Sequence, residues 1–231
     1  MTPMLIVLFG VPPATAVGTD LLFAAITKTG GSFAHGFNGT IEWRVVRRLA
    51  TGSIPATLLS LVALHSLHMT AGGARHLIMV VVSIALLLTA VVLIASETII
   101  SAYAQRLGSF RDGVITKMTI SVGAVLGVLV TFSSVSAGSI GAMALVLLYP
   151  RMPAVRIVGS DIAHAVPLTL IAGLGRGAME SVHLVMLLSL LAGSLPGILI
   201  GSWISTRIPE FFLRYILAGV LIVGTLDVLV K

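Results

Sequence analysis

The 231-residue chain is 57% hydrophobic and only 10% charged, with a mean hydropathy of +1.12. Soluble domains average about 25% charged residues, so this composition excludes a soluble globular domain, a disordered chain and a coiled coil. The absence of cysteine excludes disulfides and thiolate-bound metal centres. The net charge of +6, from 14 Lys+Arg against 8 Asp+Glu, points in so apolar a chain to loops that orient membrane spans and not to nucleic acid. The expected fold is all-α: a polytopic membrane helix bundle in a single domain over residues 1–231.

A helix crossing the hydrocarbon core needs about 20 residues. In chain order, a short apolar leg over 1–9 ends at Gly10-Val-Pro-Pro13, and a helix restarts over about 14–35, because prolines without N–H groups are tolerated at a helix start. Further uncharged intervals run over 49–74 and 76–96. The interval 118–150 is too long for one crossing, since its 33 residues would make a helix of roughly 50 Å. The small, polar stretch Phe132-Ser-Ser-Val-Ser-Ala-Gly-Ser-Ile-Gly141 divides it into legs over about 113–132 and 139–149. Apolar segments over 153–175, 181–206 and 209–230 complete the set.

Charge bias supports the two legs. If both cross, one side holds Arg44, Arg47, Arg48, Arg106, Arg111, Lys117, Arg151, Arg156, Arg207 and Arg214, and the other only Arg75, Arg176 and Lys231. A single crossing over 113–149 spreads the same residues more evenly. The positive-inside rule then makes loops 36–48, 96–117, 150–156 and 204–214 cytoplasmic.

Residues 11–61 match 152–202 at a constant offset of 141, with 11 identities in 51 positions. Pro12, Val17, Gly18, Asp20, Ala24 and Gly36 pair with Pro153, Val158, Gly159, Asp161, Ala165 and Gly177. Leu49, Gly52, Ser53, Pro55 and Leu58 pair with Leu190, Gly193, Ser194, Pro196 and Leu199. The expected organisation is two repeats, over about 1–95 and 113–231, in inverted topology with broken helices at the Pro- and Gly-rich motifs. The leg 113–132 has no partner at this offset, so a further N-terminal segment before Met1 is expected.

At these motifs the chain resembles the sulfite exporter TauE/SafE family of anion permeases. The resemblance rests on Pro3, Phe9-Gly-Val-Pro-Pro13, Ala16-Val-Gly-Thr-Asp-Leu-Leu-Phe23, His35, Gly39-Thr-Ile-Glu-Trp43 and Gly52-Ser-Ile-Pro55. Ser139-Ile-Gly141, Pro150, Val158-Gly-Ser-Asp161 and Gly193-Ser-Leu-Pro-Gly197 carry it in the second half. It implies a protein of the cytoplasmic membrane that moves sulfite, organosulfonates or related small anions. The chain departs from the family pattern in lacking a Gly-rich segment before Met1 and in the Ser-rich turn Ser133–Ser139.

An ionisable residue inside a span is costly and is by default a functional candidate. Asp20 and Asp161 occupy equivalent positions just after Pro-marked breaks, as a proton- or cation-coupling pair facing a central cavity or as helix caps. Lys28 attracts an anion or balances an aspartate, unless its ammonium snorkels to the interface. Thr15, Thr19 and Ser160 at the restarted helices, and Gly138 and Ser139 at the other break, are candidate anion contacts, because free N–H groups and a positive dipole gather there. Simple capping is the competing reading. His35 and His164 are read as hydrogen-bonded structure, and His65, His68 and His76 as a solvated loop. The Gly-Ser-x-Pro motifs serve close helix packing.

The expected activity is secondary transport of a small anion by alternating access at a midplane site, with a proton or sodium as the coupling ion. No catalytic residue, metal or cofactor is expected, and the partners are the anion and the lipid bilayer. The alternatives are an intramembrane enzyme with paired aspartates and a non-transporting scaffold.

Overall fold

A computed structural model describes residues 2–7, 9–66, 79–91, 112–134, 138–179 and 182–205. Every regular element among them is a helix: α1 (Thr2–Val7), α2 (Pro13–Phe37), α3 (Trp43–Ser66), α4 (Met79–Val91), α5 (Asp112–Ser133), α6 (Ser139–Leu148), α7 (Ala154–Met179) and α8 (Leu184–Ser205). The segment expected over 209–230 lies outside the described residues, as do Arg75, Arg106, Arg111, Arg207 and Arg214.

Local chemistry sets the breaks. Gly10 takes φ +63, and Pro13 then opens α2, where its missing N–H leaves nothing unsatisfied. α5 stops at Ser133, followed by Ser134 at φ 55, a left-handed turn that a helix cannot continue through. The 10 residues of α6 span only about 15 Å, half of a ~30 Å hydrocarbon core. Its first turn lies beside Leu126, well inside α5, while Tyr149 at its end bonds Thr119 near the start of α5 (2.9 Å). The second leg is therefore a half-length return helix that begins partway along α5.

Helix boundaries repeat at the sequence offset. Pro13 and Ala154 open α2 and α7, and Trp43 and Leu184 open α3 and α8, each pair 141 residues apart. The first-turn bonds correspond as well: Ala16 N–H to Pro12 O at 2.9 Å, and Ile157 N–H to Pro153 O at 3.1 Å.

Among the described helices α3, α5 and α7 are long and apolar enough to cross a membrane. α2 is as long, but Thr15, Thr19, Asp20, Thr27, Lys28 and Thr29 dilute its apolar character. α2 and α7 run antiparallel, with Gly18, Leu22 and Gly31 against Arg176, Gly173 and Ile162. α3 and α5 run parallel in close backbone contact. A Cβ on Gly52 would overlap the Ile120 carbonyl, and one on Gly123 the Leu49 carbonyl. In lipid, where burial of apolar surface does not drive helices together, such small-residue contacts supply the packing energy. Val17, Leu21, Val82, Leu86, Leu126, Val130 and Leu168 form the central core between α2, α4, α5 and α7. Leu58, Leu59, Val62, Leu174, Val185 and Leu188 point outward, as lipid-facing side chains should.

Charges gather at one end. Arg48 pairs with Asp112 (2.9 Å) and donates to Tyr149 (3.1 Å), while Arg156 lies 3.5 Å from Glu42. The described parts of loops 36–48, 96–117 and 150–156, read from charge bias as one side of the membrane, thus meet at one end of the bundle; loop 204–214 lies almost wholly outside the described residues. Arg176 does not follow that reading. Counted from sequence as a loop charge on the opposite side, it is 1% exposed, inside the last turn of α7.

Candidate functional site at the start of α6

The first N–H groups of any helix lack intrahelical partners. In α6 the N-cap is Gly138, which offers no side-chain acceptor. Gly138 is exposed, and the side chain of Ser139, the first residue of α6, is not described. Into this turn projects Asp161 of α7. A Cβ on Gly141 would overlap its Oδ1. Asp161 is 4% exposed, and Oδ1 is buried without a hydrogen-bond partner. A glycine at position 141 is what lets a carboxylate approach the helix end.

Two more polar groups of the membrane interior belong to this region. Lys28 is half-buried on α2, about one turn from the level of Asp161 in the α2–α7 register and two turns beyond Asp20. His164 lies one turn beyond Asp161 on α7 and is 1% exposed. Its Nε2 is 2.8 Å from Ser53 Oγ of α3, while Nδ1 is buried without a partner. Sequence reasoning placed His164 among structural histidines. Its spacing of three from Asp161, which puts both on one helical face, was the available signal.

Asp20 sits differently. Its Oδ2 accepts from the Thr2 N–H (2.8 Å) and the Thr2 hydroxyl (2.7 Å), tying α2 to α1. The antiparallel register places Asp161 level with about residue 32 of α2, so about 12 residues, or roughly 18 Å along the axis, separate it from Asp20. The two aspartates are not brought together, and the close carboxylate dyad of an aspartyl enzyme is not assembled here.

The remaining candidates divide between capping and orphaned groups. Ser160 donates to Arg156 O (2.7 Å) and accepts the Glu42 N–H (2.9 Å), which caps the start of α3. Thr19 is fully buried with no partner for its hydroxyl. Thr15 is half-buried in the first turn of α2, and His35 bonds Thr40 (2.8 Å). Among the described residues no group of three or more His, Asp or Glu is placed to hold a metal. Arg176 was missed by the sequence reading. Its Nε donates to Thr131 O (3.2 Å) and its Nη2 to Phe132 O (3.5 Å), at the last turn of α5. An open cavity of about 510 Å³ at the charged end is lined by Glu42, Tyr149, Arg151 and Arg156, next to the C-terminal end of α6.

Apolar helices, a half-length helix beginning inside the bundle, and ionisable groups at that break define a multi-pass membrane protein built on a permease plan. The sulfite exporter TauE/SafE family matches residues 1–228, and the chain belongs to that family. It is 35% identical over 232 residues to the probable membrane transporter protein YjnA of Bacillus subtilis (strain 168), covering 99% of this chain and 90% of the relative. No solved structure gives a significant match. The family is described as sulfite exporters and this relative as a probable membrane transporter, so the protein is placed among membrane transporters.

Proposed function

We propose that the protein is a secondary transporter of small anions, of the sulfite or organosulfonate type, in the cytoplasmic membrane. The substrate class rests on the family description and the transport class on both comparisons. The observation that carries the site is the buried, unpartnered Oδ1 of Asp161 against the first turn of α6, a helix that begins partway along α5, with Lys28 about one turn away in the α2–α7 register. Helix ends at mid-depth are where secondary transporters bind their substrates and coupling ions.

Alternating access is read from two inverted repeats. The common 141-residue spacing of helix starts and the antiparallel α2–α7 pair support that reading. Asp161 and Lys28 are the coupling and charge-balancing groups, and Arg151 and Arg156 line the mouth on the cytoplasmic side. The coupling ion in this scheme is a proton, with sodium as the alternative.

The test is uptake of labelled sulfite by proteoliposomes under an imposed pH gradient, then under a sodium gradient. Flux well above empty liposomes, driven by one of these gradients, is expected. The absence of flux for sulfite and simple organosulfonates under both would overturn the proposal.

A further inference from the structure

We propose that the N-terminus of α6 is an oxyanion site that the carboxylate of Asp161 occupies as a tethered competitor, so that substrate binding requires protonation of Asp161. The inference rests on the anion-transport reading above and specifies its site and coupling.

The start of α6 has the chemistry of an anion site. Its first N–H groups have no intrahelical acceptor, Gly138 supplies no side-chain cap, and the helix dipole places positive potential there. The group found against that turn is itself an oxyanion, the carboxylate of Asp161, over Gly141. Oδ1 reaches the helix end yet makes no hydrogen bond there, so it fills the place without satisfying it. A sulfonate or sulfite, with three oxygens on one sulfur, can accept from several N–H groups at once.

Carboxylate and substrate both carry negative charge and cannot both lie against the first turn of α6, since like charges at close range away from bulk water repel strongly. A proton taken up on Asp161 removes its charge, and the entering oxyanion then takes over the helix end and the attraction of Lys28. One proton and one monoanion enter together, and the net charge of the site is unchanged.

The charged and titratable groups around Asp161 are Lys28 and, farther off, Asp20 on α2, and His164 on α7 itself. Gly141 of α6 lies against the carboxylate with Leu126 of α5 beside it, Ser53 of α3 bonds His164, and His35 of α2 packs against Gly159, two residues from Asp161.

The experiment measures methanesulfonate binding to purified protein in mildly acidic and mildly alkaline buffer. This ligand keeps its single charge throughout, so any pH dependence belongs to the protein. Wild type is expected to bind about tenfold or more tightly in the acidic buffer and, in the alkaline buffer where Asp161 starts ionised, to take up about one proton per anion bound, as linkage requires. Asp161→Asn is expected to bind equally well in both buffers. An Asp161→Asn protein that keeps the wild-type pH dependence would overturn the inference and move the titrating group to His164. Should that variant fail to fold, wild-type binding without proton uptake would overturn it equally. Failure of the wild type to bind methanesulfonate or sulfite in either buffer would instead remove the anion-transport reading itself.

Discussion

Gly18 of α2 packs against Arg176 of α7, where an added Cβ would lie 3.6 Å from the arginine Cβ. Shifted by 141 residues and with the helices exchanged, the same relationship joins Gly159 of α7 to His35 of α2, 3.0 Å from the position of a Cβ to Nδ1. The two contacts sit at opposite ends of one antiparallel interface. They are equivalent in sequence and unequal in space, because a Cβ on Gly159 would also lie 2.7 Å from the Thr40 carbonyl oxygen.

That inequality predicts different responses to alanine. Gly159→Ala presses a methyl against main chain that cannot move freely and should cost about 1–3 kcal/mol, while Gly18→Ala should change stability by less than about 1 kcal/mol. Thermal unfolding in detergent measures both, and equal destabilisation would contradict the contact geometry.

The Gly-Ser-x-Pro motifs differ in the same way. At Gly52 a Cβ meets the Ile120 carbonyl, while at its counterpart Gly193 no atom of the described residues lies within 4 Å. Gly52→Ala should therefore disrupt the α3–α5 contact and lower the unfolding temperature. Gly193→Ala should be neutral or stabilising by up to about 1 kcal/mol, through reduced backbone freedom.

Asp20 and Asp161 should separate stability from transport. Asp20→Ala strips the acceptor from two Thr2 donors and should destabilise by about 1–3 kcal/mol. Asp161→Ala removes an oxygen that had no partner, so the folded protein should survive while gradient-driven flux is lost. Unfolding curves alongside proteoliposome flux give both readouts.

Arg176 and Thr19 are further buried polar residues with opposite expected effects. Arg176→Gln removes charge-assisted donation to the final carbonyls of α5 and should cost about 1.5–3 kcal/mol per bond lost. Thr19→Val deletes a buried hydroxyl without a partner and should leave stability unchanged or raised. Detergent unfolding curves for the two variants test the contrast.

Membrane orientation is open to labelling, because the chain contains no cysteine. Cysteines at positions 44 and 151 should react with a membrane-impermeant thiol reagent only from the cytoplasmic side, and cysteines at 65 and 183 only from outside. The former pair belongs to the charged end, and the latter lies at the end of α3 and the start of α8. Reaction at 151 and 183 from the same side would reject the topology.

Among the described residues, sequence alone located the helix breaks at Gly10-Val-Pro-Pro13 and after Ser133. A proline without an N–H, a glycine at positive φ and a run of serines act over a few residues, so they mark helix boundaries wherever the helices later pack. The legs expected over 113–132 and 139–149 appear as Asp112–Ser133 and Ser139–Leu148. Family motifs, too, were legible as ordered residues along the chain. The distance between residues on different helices was not. Asp20 and Asp161 hold equivalent sequence positions, but their separation depends on the antiparallel register of α2 on α7, which Gly18, Gly31 and Gly173 set through contacts far apart in sequence. Charge counting placed Arg176 in a loop because a tally of spans and loops cannot register carbonyls at the end of another helix. Those acceptors on α5 are brought to the guanidinium only by tertiary packing. The same packing sets the unpartnered oxygen of Asp161 against the start of α6 and binds Asp20 to Thr2, because a carboxylate's role in the membrane interior depends on which donors the neighbouring helices bring to it.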